Sequence, residues 1–180
     1  MTLVRFHPIE RDDLSLLQGW RNDPDVRLIC REYRLLTILH QEDWYERVTR
    51  DTDFLMSKIE AVDSGAFIGV CGWTFIDWRS RHALLSMYIG DKDYRTDRYY
   101  AAILHGLHSV AFNELGMNCV RAEIYDFDPR KEHFYRAGYK ENGRRRQQYY
   151  HNGEFWDIII TDLLRGEWIK LCQSTQKAES

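Results

Sequence analysis

A helix pattern flanked by two strand patterns constrains the fold of this chain more than any other feature of its sequence. Apolar residues recur every three or four positions over residues 98–115, which predicts a helix, and Gly116 ends it. Residues 82–89 are a strand candidate that ends at Gly90, and residues 119–125 alternate between apolar and polar positions as a strand does. Because a strand-helix-strand unit needs a crossover connection, we expect the two strands to be parallel neighbours in one sheet.

Further strand and helix patterns surround this unit. One helix is predicted to follow Asp12 and to stop at Pro24, since proline disfavours a helical residue before it. The other predicted strands are residues 2–7, 54–61, 66–76, 139–150 and 154–163, and the other predicted helices are residues 41–50 and 129–137. The order predicts an α/β fold, a mixed sheet of about seven strands with helices on both faces, antiparallel except for the one parallel pair.

The length of 180 residues and the hydrophobic content of 44% fit one domain with one core. We predict a single domain over residues 1–170 and a polar tail over residues 171–180, loose from about residue 173. A net charge of −3 gives no basic field for nucleic acid, and no apolar run approaches the length of a membrane span. Because the N-terminus carries no secretory signal pattern, we expect a cytoplasmic protein without nucleic-acid or membrane partners.

The cysteine and aromatic contents narrow the class of protein further. The four cysteines are far apart and lack the Cys/His spacing of a zinc site, so we predict free thiols and no metal. The chain also carries 6 Trp, 11 Tyr and 8 Phe, and aromatic side chains often line ligand clefts. This composition favours a protein with a binding cleft.

Several short motifs follow the predicted elements in a familiar order. Residues 20–26 read WRNDPDV after the first helix, Ile68-Gly69 lies in the third strand, and residues 128–139 read DPRKEHFYRAGY. Gly143 and Asp157 fall in the last two strands. Together these motifs resemble the GNAT acyl-CoA-dependent N-acetyltransferases, in particular the branch that acetylates ribosomal-protein N-termini, polyamines and amino sugars. The resemblance covers roughly residues 2–165.

The resemblance implies a reaction and a site. A GNAT enzyme moves the acetyl group of acetyl-CoA to a primary amine, here a protein N-terminus, an amino sugar or a small amine, by direct attack. Its fourth strand pairs with the pantetheine arm, which by position would involve the backbone of Met87, Tyr88 and Ile89. The resemblance also places Asp128 and Lys131 near the cofactor, and Trp20, Glu32 and Tyr33 in the acceptor site.

The loop that binds the pyrophosphate departs from the family pattern R/Q-x-x-G-x-G/A. Arg95 keeps its first position, but Arg98 and Tyr100 stand where the family has glycines that let phosphate approach the backbone. The departure leaves three outcomes open: a weakened site, a reshaped site, or a GNAT-fold protein that no longer uses CoA and acts as a binding or regulatory module. The loop residues that the resemblance assigns to the cofactor are Arg95, Thr96, Asp97, Arg98, Tyr99 and Tyr100.

The resemblance also implies a general acid, because a tyrosine in this family's last short helix protonates the departing thiolate. Counted forward from Asp128 this residue is Tyr135, and counted back from Gly138 it is Phe134, since the segment is one residue short. A phenol is protonated at neutral pH and donates readily to a thiolate. The base candidates are Glu32, His40, Asp77, Glu123 and His133.

Two further clusters have no single interpretation from sequence. Arg144, Arg145 and Arg146 fit an edge strand charged against aggregation, or a site for an anionic acceptor. The aromatic cluster beside them fits core, an acceptor wall or the surface of a homodimer. Its members are Tyr149, Tyr150, Phe155 and Trp156.

Overall fold

The computed structural model describes residues 2–178, with side chains for residues 2–174. Its strands form one seven-stranded sheet in the order β1-β2-β3-β4-β5-β7-β6, which confirms the predicted mixed α/β sheet. The strands are β1 Val4–His7, β2 Leu55–Ala61, β3 Ala66–Asp77, β4 His82–Ile89, β5 Cys119–Tyr125, β6 Lys140–His151 and β7 Glu154–Leu164.

The helices include two that the sequence patterns did not predict, α2 and α6. Pro24, which ends the first helix, also begins α2, because proline suits the first helical position, and the Asp23 side chain caps it by accepting from the Asp25 N–H at 2.9 Å. The helices are α1 Leu14–Asn22, α2 Pro24–Arg27, α3 Ile38–Arg50, α4 Asp97–Ser109, α5 Lys131–Arg136 and α6 Arg165–Ala178.

The last helix corrects the expectation of a loose C-terminal segment. Residues 173–178 continue α6, and residues 179–180 lie outside the described part of the chain. Trp168 in α6 is buried, and its ring lies 5.3 Å from that of Phe112. Burial of this one large side chain anchors a helix whose polar sequence has weak periodicity.

The predicted parallel pair is confirmed. His82, Ala83 and Leu84 of β4 pair in parallel with Cys119, Val120 and Arg121 of β5, on either side of α4 in the sequence. The strand pairs β1-β2, β2-β3, β5-β7 and β6-β7 are antiparallel. Beyond the paired residues, β4 runs on to Ile89.

The chain forms two compact units, and the boundary between them falls inside β4 and α4. The first unit comprises Met1–Ile76 and Ser86–Ile103, and the second comprises Asp77–Leu85 and Leu104–Ser180. The single domain over residues 1–170 stays a prediction.

Each unit has its own buried apolar residues. In the first, a cluster of Ile9, Leu14, Leu17 and Val70 is covered by half-buried aromatic side chains that include Trp20, Trp44 and Tyr88. In the second, Phe112, Met117, Ile159 and Leu163 are fully buried. The buried imidazole of His108 lies 3.1 Å from the Tyr139 hydroxyl, and burial lowers the pKa of His108 to about 3, so this pair is neutral at pH 7.

Gly69 sets how closely β3 approaches β4. A Cβ added at Gly69 would lie 2.3 Å from the Tyr88 carbonyl oxygen and 2.9 Å from Ile89 Cα, both of them backbone atoms. We expect Gly69→Ala to lower the free energy of unfolding by about 1–3 kcal/mol, as overpacking does, in urea denaturation.

Gly19→Ala is the matched control, because nothing lies within 4 Å of a Cβ at that helical position. Alanine is the better helix former, so this control should gain about 0.5–1 kcal/mol. Equal stability of the two variants would contradict the close approach of the strands.

Candidate active site

The first unit contains a cavity of about 390 Å³ between α1, α3 and strands β2 to β4. Volumes of this size are usual for small-molecule sites. Charged and polar side chains converge on an apolar floor that includes Met56 and Val70. The other lining residues are Arg21, Glu32, Arg34, Leu36, His40, Gln41, Asp43, Trp44, Arg47, Thr74, Ser86 and Tyr88.

Helix α3 forms one wall of the cavity. His40, Asp43, Trp44 and Arg47 have the spacing i, i+3, i+4 and i+7, so they share one helical face. Thr37 begins the helix with a capping box, in which its N–H donates to His40 Nδ1 at 3.0 Å. The helical spacing was the sequence signal that could have identified this wall.

The loop before α3 is fixed to the end of α1. Asn22 Oδ1 accepts from the Leu36 N–H at 2.7 Å, and Asn22 Nδ2 donates to the Leu36 carbonyl at 2.9 Å. Gln18 donates to the same carbonyl at 2.8 Å. The asparagine of the WRNDPDV motif therefore positions the loop that carries Glu32 and Arg34.

Glu32 and Arg34 form a bidentate ion pair at the rim of the cavity. Arg34 Nε lies 2.9 Å from Glu32 Oε1, and Arg34 Nη2 lies 2.6 Å from Oε2. These bonds, with one from the Arg34 N–H, lower the pKa of Glu32 to about 2. Glu32 is therefore ionised and already paired at neutral pH.

Arg21 also lines the cavity and lies over the ring of Tyr88. Its guanidinium carbon is 5.8 Å from the ring centroid, and Nη1 donates to the Cys30 thiol at 2.8 Å. Burial raises the pKa of Tyr88, so its phenol is protonated. The sequence assigned only the Tyr88 backbone to the site, whereas the structure places its side chain in the cavity wall.

The three residues predicted for the acceptor site lie in different places. Glu32 lines the cavity. Tyr33 is 81% exposed and is not a lining residue. Trp20 packs edge-on against Phe67 at 5.0 Å, and its ring closes over Gly90, where a Cβ would come within 2.0 Å of it. Trp20 thus has a packing role in the first unit.

Arg95 does not extend into solvent. Its Nε donates to the Ile89 carbonyl at 3.0 Å, its Nη2 donates to the Gly90 carbonyl at 2.9 Å, and Nη1 lies 3.3 Å from Asp25 Oδ2. The Ile89 carbonyl, expected to be free for pantetheine, is therefore engaged by this side chain. Arg95 therefore stabilises the backbone at the end of β4, before the chain continues to α4.

Arg98 and Tyr100, which stand where the family pattern has glycines, differ in the direction of their side chains. Tyr100 is only 6% exposed, so its ring is turned into the protein. Arg98 is exposed, with Nη2 3.1 Å from Asp63 Oδ2 and 3.0 Å from the Tyr99 hydroxyl. Thr96 lies just before α4, and its carbonyl accepts from the N–H groups of Tyr99 and Tyr100.

At the start of α4, the backbone N–H groups favour an anionic ligand, whereas the acidic side chains around them repel one. The first N–H groups of a helix have no intrahelical acceptor, and Asp97 and Arg98 occupy that turn. An open cavity of about 700 Å³ beside the turn is lined by four aspartates, with Arg98 as the basic residue among them. The aspartates are Asp63, Asp91, Asp93 and Asp97.

In the second unit, Asp128 has a local partner that the sequence analysis did not anticipate. Its Oδ1 accepts from the Arg130 N–H at 2.9 Å and from Arg130 Nε at 2.7 Å. Lys131 Nζ lies 2.6 Å from the Asp126 carbonyl and 2.9 Å from its carboxylate. Both predicted cofactor residues therefore pair inside the second unit and shape the start of α5.

The structure distinguishes the two aromatic candidates in α5 by their packing. The Phe134 ring packs edge-on against buried Tyr139 at 5.6 Å. Tyr135 is half-buried, and burial is the largest cause that raises the pKa of its phenol, followed by the charge of Glu141. Tyr135 is therefore a protonated donor at neutral pH, whereas Phe134 has a packing role.

A model of the acetyltransferase (GNAT) domain matches residues 7–160 of this chain. The chain belongs to the GNAT acetyltransferase family. The expectation of an acetyl-CoA-dependent N-acetyltransferase is confirmed at the level of this family.

Solved structures share the GNAT fold. Spermidine N-acetyltransferase from Vibrio cholerae, in complex with CoA and spermine, matches with a TM-score of 0.86 and 15% identity over 94% of this chain and 99% of that chain. A dodecameric form of the Vibrio cholerae enzyme matches with a TM-score of 0.79 and 16% identity over 93% of this chain and 97% of that chain. Among the described residues of this GNAT chain, no helix is long and apolar enough to cross a membrane.

Most of the predicted base candidates already have partners within this GNAT chain. Asp77 Oδ1 accepts from the Ser80 N–H at 2.7 Å, and Glu123 lies 3.0 Å from Arg145. His40 Nδ1 accepts a backbone N–H, so the proton of the neutral ring is on Nε2. With Glu32 held as an ion pair, we assign the base to none of these residues.

The arginine run and the aromatic cluster lie on the β6-β7 hairpin. Arg144 lies 2.7 Å from Asp126 and 2.6 Å from Glu141, so it is engaged within the hairpin region. The Tyr149 ring stacks on Tyr125 at 3.9 Å, whereas Tyr150 and Phe155 are exposed. The homodimer and the cytoplasmic location stay predictions.

Proposed function

We propose that this chain transfers the acetyl group of acetyl-CoA to a small-molecule primary amine that binds in the cavity of about 390 Å³. One observation carries the proposal: in a chain that matches the GNAT domain, this cavity is lined by Ser86 and Tyr88 of β4. From that strand the chain continues to the start of α4 at Asp97, in the segment that the family resemblance assigns to the donor.

For the donor, α4 supplies the diphosphate site at its N-terminus, before the N–H groups of Tyr99 and Tyr100 that donate to the Thr96 carbonyl. The Tyr88 carbonyl oxygen faces β3, close to Gly69, and successive backbone carbonyls of a strand alternate in direction. Since Arg95 engages the Ile89 carbonyl, Met87 is the residue of β4 best suited to pair with pantetheine.

For the chemistry, Tyr135 donates a proton to the departing thiolate, because its raised pKa keeps the phenol protonated across neutral pH. The amine attacks the thioester carbonyl, the C–S bond breaks, and CoA leaves as a thiol. Water or another group takes the proton from the ammonium form of the acceptor.

The direct test incubates the full chain with acetyl-CoA and a panel of primary amines. We expect release of the CoA thiol that depends on the amine, and an acetylated product seen by mass spectrometry. Thiol release without an acetylated amine would indicate hydrolysis instead.

A second candidate is a GNAT-fold binding module that does not use CoA. The four aspartates beside the start of α4 favour it, because they repel a polyanion. No binding of acetyl-CoA and no turnover would support this alternative.

A further inference from the structure

The charges that line the cavity of the first unit indicate the class of acceptor, and this inference rests on the proposed function. Three arginines and two carboxylates line the cavity. A site for a polycationic amine needs carboxylates that are not already neutralised, so the partner of each charge decides what the cavity can bind.

One of the two carboxylates is already neutralised. Glu32 accepts two hydrogen bonds from the Arg34 guanidinium, and bidentate pairs of this kind are among the stronger ion pairs. An incoming ammonium group would have to compete with a bidentate guanidinium. Asp43 on α3 is the remaining carboxylate of the lining.

The other two arginines have weaker partners than Arg34, although the charge of Arg21 also helps to lower the pKa of Glu32. Arg21 is half-buried, and the hydrogen-bond acceptor seen for its side chain among the described residues is the Cys30 thiol. A thiol is a weak acceptor, whereas a guanidinium has five N–H donors. Arg47 is exposed on α3, and its guanidinium carbon lies 5.5 Å from the ring centroid of Phe54.

These two arginines border the same cavity from different elements, α1 and α3. Planar guanidinium groups match phosphate and carboxylate oxygens in pairs. We infer that the acceptor is a primary amine that also carries an anionic group, and that Arg21 and Arg47 bind this group while the amine lies towards Ser86 and Tyr88. Asp43 is then the carboxylate available to an ammonium group.

The test compares small amines of similar length that differ in the charge of their second group. With the 180-residue chain and saturating acetyl-CoA, we expect phosphoethanolamine or β-alanine to give a kcat/KM at least about tenfold above that of ethanolamine, with diaminobutane lowest. A preference for phosphoethanolamine identifies a phosphate, and a preference for β-alanine identifies a carboxylate.

Variants of α3 and of the loop before it test which arginine binds the anionic group of the acceptor. Arg47→Gln should abolish most of the preference for the anionic amine, mainly by raising KM. The matched control is Arg50→Gln, since Arg50 is on the same helix but pairs with Glu46 and does not line the cavity. Arg34→Gln should release Glu32 and improve diaminobutane relative to the anionic amines.

The outcomes separate this inference from the proposed function. If ethanolamine and diaminobutane are acetylated as well as the anionic amines, the proposed function stands and the anionic acceptor is wrong. If Arg47→Gln and Arg50→Gln behave alike, Arg47 does not bind the acceptor. If no amine is acetylated, both fail.

Discussion

Tyr135→Phe is expected to lower kcat by about 10² or more, the usual scale for a lost general acid. That factor corresponds to roughly 2.7 kcal/mol of transition-state stabilisation. The phenol of Tyr135 is half-buried in α5, and its raised pKa keeps it protonated at neutral pH, so only the hydroxyl is lost in the variant. Steady-state kinetics with acetyl-CoA and the preferred amine measure the effect.

The matched control for Tyr135→Phe is Phe134→Leu, at the neighbouring aromatic position of α5. Phe134 packs on Tyr139, so this variant should lower thermal stability and leave kcat within a few-fold of wild type. Turnover of Tyr135→Phe within a few-fold of wild type, with unchanged acetyl-CoA affinity, would mean that water or another group protonates the thiolate.

Arg95→Ala is expected to weaken acetyl-CoA binding, because it removes hydrogen bonds of a charged group, each worth about 1.5–3 kcal/mol, that hold the segment before α4. The physical reason is positional. Arg95 donates to the carbonyls of Ile89 and Gly90, which fixes the backbone between β4 and α4. Without these bonds, the N-terminus of α4 is held less firmly in position. Calorimetric titration with acetyl-CoA gives the affinity, and thermal unfolding shows whether the variant keeps its fold.

Arg98→Gly is the comparison variant in the same segment, and we expect its effect on acetyl-CoA binding to differ from that of Arg95→Ala. It removes a charge that is already shared with Asp63, and it restores a glycine where phosphate approaches the backbone. We expect a milder loss than for Arg95→Ala, or tighter binding. A larger loss for Arg98→Gly would show that Arg98 leaves Asp63 and binds the phosphates directly.

The sheet was predictable because its signals are local and strong. The bounds of β4 and β5 match the sequence prediction to the residue, since Gly90 ends β4 and β5 alternates between apolar and polar positions. Helix α2 was missed because Pro24 was interpreted only as a helix stop, although proline equally suits a helix start. Helix α6 was missed because its sequence is polar and has weak periodicity. It is held instead by the burial of one side chain, Trp168.

The site was harder to predict, because the direction of a side chain depends on tertiary contacts. Glu32 was expected in the acceptor site, but its ion pair with Arg34 was not predicted. The two residues lie in a loop, where no periodicity indicates which side chains meet. The family resemblance assigned Arg95 to the cofactor, whereas in the structure its side chain donates to backbone carbonyls. Asp128 was assigned to the cofactor, yet Arg130, two residues on, pairs with it.

The central claim is that α4 of this GNAT-family chain still presents a site for acetyl-CoA although both loop glycines are replaced. Calorimetric titration of the full chain with acetyl-CoA tests it most directly. We predict one saturable site with a dissociation constant in the micromolar range, about −8 kcal/mol, weakened in Arg95→Ala. No heat with millimolar acetyl-CoA, for the wild-type chain and for Arg98→Gly alike, would contradict the claim.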